Sequence, residues 1–190
     1  MSEIFVDNIK HQSSQGSGTI TIGASGEKVD LGADAGGTLT NRPAFLAKKT
    51  GNQSMSGDTD TKLICTEEIF DTNNAHNTTT GQFTVPSGQS GKYYFFAGFN
   101  VANMDDNKAI GVSFKINGSF PDGETNVLGG YFSAQNNSPS ASNAADPTVI
   151  VSTIFDLSAG DYVEMWGRQR DGGSEDARDL RFGAYRLIGV

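Results

Sequence analysis

Thr80-Gly81-Gln82-Phe83-Thr84-Val85-Pro86 and, after a short turn, Gly91-Lys92-Tyr93-Tyr94-Phe95-Phe96 decide how this chain is read. A glycine turn, a short aromatic strand, a proline that cannot donate to a ladder, and a second aromatic run describe a strand-rich sandwich. Residues 92–102 predict one long strand, with Tyr93, Phe95, Ala97 and Phe99 on one face and Tyr94, Phe96 and Gly98 on the other. Apolar side chains at both parities predict burial on both sides. A sandwich covers only the inner of those faces from within the chain. The outer one asks for a partner.

Working outward, strands recur with turn signals between them. Residues 44–47 open a domain, and residues 63–70 continue the sheet with a charged break at Glu67-Glu68. Ile110, Val112, Phe114 and Ile116 alternate with Gly111, Ser113 and Lys115, the pattern of a half-exposed strand. Asn117-Gly118 is a strong hairpin-turn signal, and Gly160-Asp161 fits a tight turn needing positive φ. Residues 127–132, 148–157, 162–169 and 180–188 complete the strands, while residues 135–143 read as a flexible loop. No helical stretch emerges. The fold class predicted is all-β.

With 190 residues there is room for one core and an arm. Charged residues at 19 % and 24 glycines favour short strands and many turns over helices. A net charge of −8 repels a phosphate backbone, so no nucleic-acid role is expected. The Arg168, Arg170, Arg178, Arg181 and Arg186 group is interleaved with Asp171, Glu175, Asp176 and Asp179, which predicts mutual surface pairing. Cys65, the single cysteine, excludes an internal disulfide and reads as a buried thiol in an apolar run. No early apolar segment reads as a signal peptide, and no run approaches the ~18 apolar residues of a membrane helix.

Several segments together resemble the C1q and tumour-necrosis-factor-like jelly-roll family. They are Pro43-Ala44-Phe45, Ile69-Phe70-Asp71, residues 80–86, Gly91-Lys92-Tyr93-Tyr94-Phe95, Leu157-Ser158-Ala159-Gly160-Asp161-Tyr162-Val163 and Phe182-Gly183-Ala184-Tyr185. Their order matches the family's across residues 43–190. The resemblance implies a jelly-roll sandwich over residues 42–190 that works as a homotrimer and is not an enzyme. It makes Tyr94, Phe96, Tyr185 and Leu187 candidates for the trimer interface, with intrachain core as the alternative for each.

Residues 1–41 read as an N-terminal arm of short strands ending in a Gly-rich hinge, with Ile4, Phe5, Val6, Ile9, Ile20 and Ile22 as anchor candidates. Val6-Asp7-Asn8-Ile9-Lys10 and Gly18-Thr19-Ile20-Thr21-Ile22-Gly23 resemble openings of structural proteins from marine bacteriophages. That resemblance implies a virion protein assembled in the host cytoplasm, its arm held by capsid or tail proteins and its trimeric head projecting as a capsid decoration or short appendage. The alternative is a receptor- or glycan-binding head of a tail fibre or other adhesin.

Catalytic chemistry is sought and not found. His11 and His76 are the only histidines, and His76 is expected in a solvated polar loop. No Gly-x-Ser-x-Gly elbow or His-x-x-His spacing occurs. Glu67 and Glu68 point to opposite faces of a strand and cannot act as an acid–base pair. Asp105-Asp106-Asn107 and the acidic loop 171–176 carry the oxygens calcium takes, but lack EF-hand spacing; solvated loops without a cofactor are expected. Trp166, Arg168 and Arg170 share one strand face and are the ligand-contact candidates, against the plainer reading of a covered patch.

Overall fold

The computed structural model describes residues 43–102, 104, 108–128, 134–137 and 146–187. The arm with its anchor candidates, the hinge, Asp105-Asp106-Asn107, residues 129–133 and residues 138–145 lie outside the described residues.

Among the described residues there are twelve strands: β1 Ala44–Lys48, β2 Gln53–Ser56, β3 Thr61–Lys62, β4 Glu67–Asp71, β5 His76–Asn77 and β6 Gln82–Thr84, then β7 Gly91–Val101, β8 Ala109–Ile116, β9 Ala134–Asn137, β10 Thr148–Leu157, β11 Tyr162–Gln169 and β12 Ser174–Arg186. They form two antiparallel sheets. One runs β10-β7-β12-β1-β4 with β2 also on β12; the other runs β5-β6-β11-β8-β9 with β3 also on β11. The only helical turn described is a 3-10 turn at Pro121–Gly123.

The inner faces meet in an aromatic core. Tyr93, Phe95, Ala97 and Phe99 of β7 are buried, as expected from their alternation. Phe95 lies at its centre, with ring centroids 5.5 Å from Phe83, 5.9 Å from both Phe114 and Phe155, and 6.1 Å from Phe182. Edge-to-face and tilted pairs of this kind add roughly 0.5–1.5 kcal/mol each beyond simple burial. The turns behave as their sequences require. Asn117 and Gly118 have φ of 51° and 82°, and Gly160 has φ of 92°. Asp161 closes its turn by accepting from the Ser158 N–H at 2.8 Å.

Five expectations are corrected. Residues 63–70 do not continue one sheet: β3 pairs with β11 and β4 with β1, so the chain crosses between sheets over residues 63–66. Leu63 and Cys65 are both buried on that crossing. Strand β8 is not half-exposed, because Gly111 and Ser113 are as buried as Ile110 and Val112. Residues near the Pro121–Gly123 turn help to cover the outward face of this sheet: Val127 is wholly buried and its N–H reaches Asp60 Oδ1 at 3.3 Å. Residues 135–137, expected in a loop, belong to β9 and pair with β8, while residues 127–128, expected to open a strand, form a turn. Lastly, Arg168 and Arg170 find carboxylates outside the interleaved group, Asp60 and Asp58 of the distant 57–60 segment. Asp176 accepts from Asn52 and Asp179 from Asn100.

Candidate assembly face

Among the described residues, the large apolar side chains left in solvent lie on the outward face of the β10-β7-β12-β1-β4 sheet. Strand register sets them in rows. Ile154 stands opposite Tyr94, and Tyr94 opposite Tyr185. In the next row Phe96 lies opposite Gly183, Gly183 opposite Leu46, and Leu46 opposite Phe70. A third row places Ile150 beside Gly98 and Gly98 beside Arg181. Period-2 alternation sends the intervening residues of every strand to the core, so among the described residues nothing of the same chain covers this face.

The rings pack on one another across the strands. Tyr94 and Tyr185 have centroids 5.3 Å apart, and Tyr94 and Phe96 are 6.4 Å apart. Gly183 makes the second row possible. A Cβ there would come within 2.7 Å of Phe96 Cε1, so the missing side chain lets the Phe96 ring lie over the backbone of β12. Exposure nonetheless remains high: Ile150 68 %, Ile69 52 %, Ile154 51 %, Phe70 47 % and Tyr185 46 %. Ile69 has its own reason. The β1–β4 register steps from Leu46↔Phe70 to Ala47↔Glu68, leaving Ile69 as the extra residue of a bulge on an edge strand.

Of the interface candidates read from sequence, the structure brings Tyr94, Phe96 and Tyr185 together on this face. Leu187 follows two residues after Tyr185, half-buried, its N–H bonded to the Lys92 carbonyl at 2.8 Å. Sequence reasoning missed Leu46, Phe70, Ile150 and Ile154. The signal was available in β10, whose Val149-Ile150-Val151 and Ile154-Phe155 put apolar residues at both parities, as β7 does.

The ligand-contact candidates sit on the other sheet and already hold partners. The Trp166 indole N–H donates to Glu164 Oε2 at 3.0 Å, and Lys115 Nζ stands 3.6 Å from a Trp166 ring centroid. Phe120 meets the same indole edge-on. Arg168 Nη1 donates to Asp60 Oδ1 at 3.2 Å, while Arg170, past the strand end, stays half in solvent 3.9 Å from Asp58. Glu164 is 5 % exposed, and accepts from Lys62 at 3.2 Å and Gln82 at 3.0 Å as well. Burial pushes its carboxyl up; the donors Gln82, Trp166 and Lys62, with the Lys62 charge, more than offset this and hold it below the ordinary value. This is a carboxylate built to stay ionised and occupied, which suits structure better than proton transfer.

Two further residues complete the chemistry. Cys65 is buried, and burial pushes its thiol up to about 12. His76 overturns its expectation: it is 4 % exposed instead of solvated, its ring stacked on Phe45 with centroids 4.9 Å apart. Among the described residues no group of three His, Cys, Asp or Glu side chains is placed to hold a metal ion. The acidic segment 171–176 is a turn running straight into β12, with Gly172 at φ 76°.

Known structures share this architecture. The globular domain of zebrafish complement 1qA is 18 % identical with a TM-score of 0.53, covering 78 % of this chain and 99 % of its own. This domain has the C1q/TNF-like jelly-roll fold. Eiger TNF from S. frugiperda is 15 % identical with a TM-score of 0.53 over 78 % of this chain and 93 % of its own. Murine APRIL is 14 % identical with a TM-score of 0.50 over 77 % and 99 %. At such identities the likeness is one of fold. No family model matches the chain and no curated protein matches its sequence. The resemblance of residues 6–23 to bacteriophage structural proteins finds no support in these comparisons.

Proposed function

We propose that this domain is a non-enzymatic head that closes into a homotrimer through the outward face of the β10-β7-β12-β1-β4 sheet. The observation that carries the reading is the continuous apolar surface from Ile154 through Tyr94 to Tyr185 and from Phe96 through Leu46 to Phe70. A lone subunit gains nothing from leaving such rows wet. Fully burying one large apolar side chain is worth about 1.5–3 kcal/mol, and large exposed apolar patches on soluble domains mark association surfaces. The C1q/TNF-like fold supports three copies around an axis over a two-fold pair. Native mass measurement tests this: about 60 kDa, three times the 20.1 kDa chain, is expected, and a 20 kDa species at micromolar concentration overturns it.

The wider role in our reading is structural: a bacteriophage virion component, decorating a capsid or forming a short appendage, moored through residues 1–41. Its support is the phage-like wording of residues 6–23 beside a head whose apolar face serves self-association. Deleting residues 1–41 is expected to leave a folded trimer that no longer joins particles. Undiminished incorporation would remove the mooring role.

A further inference from the structure

His76 occupies an unusual place for an ionisable group. Its side chain has no exposed surface. Neither Nδ1 nor Nε2 has a hydrogen-bond partner. The ring stacks nearly parallel on Phe45, with planes 9° apart, and meets Phe182 at 74° with centroids 6.1 Å apart. Strand β6 presents Phe83, the register partner of His76, and Phe83 also stacks on Phe45. From β1, β6 and β12, then, the groups facing the imidazole are phenylalanine rings. The charged groups near it are Glu68 and Asp71, both on β4.

Neither carboxylate is placed to serve a cation well. Glu68 Oε1 is 3.6 Å from Nδ1, beyond hydrogen-bond length, and a third of the Glu68 side chain is in water, which screens it. Asp71 is committed to the backbone, accepting from the His76 N–H at 2.7 Å and the Asn73 N–H at 3.1 Å. Burial pushes the imidazole down, and the Glu68 and Asp71 charges pull it only part of the way back.

The element carrying His76 is short and lies at the edge of its sheet. Strand β5 pairs with β6 at two positions only, His76↔Phe83 and Asn77↔Gln82, and among the described residues it has no neighbour on its other side. The preceding turn includes Asn74 at φ 51°, and the segment borders a polar hollow of about 650 Å³ lined by Asn73, Asn74, Asn77, Thr78 and Thr79. A short edge strand beside open polar space costs less to move than a central strand of the sandwich.

We propose that His76 is an acid-sensitive latch: when its ring takes up a proton, β5 and its flanking turns swing away from the Phe45 and Phe182 rings so that the imidazolium is hydrated. The sign follows from linkage. The closed state binds the proton less readily than the open state, so closure is fully favoured above the ordinary histidine value near 6.5. It weakens as pH falls below that value, by up to about tenfold per pH unit until the closed-state imidazole itself titrates. The latch acts within one subunit, whatever its oligomeric state.

The test is amide hydrogen exchange of the full chain, comparing wild type with His76→Phe at equal pH. Phenylalanine keeps the ring stack and cannot titrate. At residues 72–79 the wild-type-to-variant exchange ratio is expected to rise about fivefold between pH 6.5 and 5.5 and to stay level above pH 7.5. Glu68→Gln, which removes the nearer supporting anion, is expected to steepen that rise. A ratio independent of pH, or wild-type protection that grows on acidification, overturns the latch, the latter meaning that Glu68 and a buried imidazolium form a closed pair. If His76→Phe does not fold, the imidazole resonance is titrated in His11→Gln, which leaves one histidine. An apparent value below 6.5 sustains the proposal, and one at or above 6.5 overturns it.

Discussion

Replacing Ile154 with lysine separates assembly from folding. In a single subunit Ile154 is 51 % exposed and lies opposite Tyr94 on the outward face, so it is not part of the core. Exposed substitutions usually cost within ±0.5 kcal/mol, and loss of one cross-strand pair adds roughly 0.2–1 kcal/mol. A folded Ile154→Lys monomer is therefore expected to lose no more than about 1.5 kcal/mol. In the proposed trimer the account differs. About half of the side chain's full burial value is still to be gained on association, roughly 1 kcal/mol per copy and about 3 kcal/mol over three. Each lysine must also leave water without a partner, an effective penalty of several kcal/mol per ion. At 1.4 kcal/mol per factor of ten, the sum moves the association constant by many orders of magnitude. Sedimentation velocity and urea unfolding on the same sample read both terms. The expected result is a monomer with nearly wild-type single-subunit stability. A variant that stays trimeric shows that Ile154 faces no partner and refutes the assignment of this face.

Three other outcomes follow from the packing. Gly167→Ala places a Cβ within 2.7 Å of Leu63 Cδ1 and 3.2 Å of Met55 Sδ; overpacking of about 1–3 kcal/mol is expected in urea denaturation. Glu164→Ala strips the acceptor from the Trp166 indole and the Gln82 amide, costing on the order of 3 kcal/mol, with a shift in Trp166 fluorescence. Because the folded Glu164 carboxyl lies below its ordinary 4.5, its contribution is present above that pH and lost as pH falls through the folded value, so wild type and variant should converge in acid. Cys65, its thiol pushed up to about 12, should resist thiol reagents at pH 8 until the chain is unfolded; rapid native labelling would contradict its burial.

What the sequence determined by itself is what local chemistry dictates. Tyr93, Phe95, Ala97 and Phe99 had to share a face because side chains alternate along a strand, and that face is the core. Asn117-Gly118 and Gly160-Asp161 had to turn because those residues tolerate positive φ at little cost. The outward placement of Tyr94 and Phe96 was legible on the same grounds, while Tyr185 was pointed to by the family resemblance. Tertiary structure alone decided which distant residues came to meet these elements. Trp166 is capped by Glu164, Lys115 and Phe120, and Arg168 is held by Asp60, a hundred-odd positions away in the chain. His76 sits in polar sequence, Asn73-Asn74-Ala75-His76-Asn77, yet ends between Phe45 and Phe182 because the β4–β5 connection folds over the edge of the two sheets. Alternation fixes the face of a strand a side chain occupies; only the packing of elements far apart in sequence fixes what lies across from it.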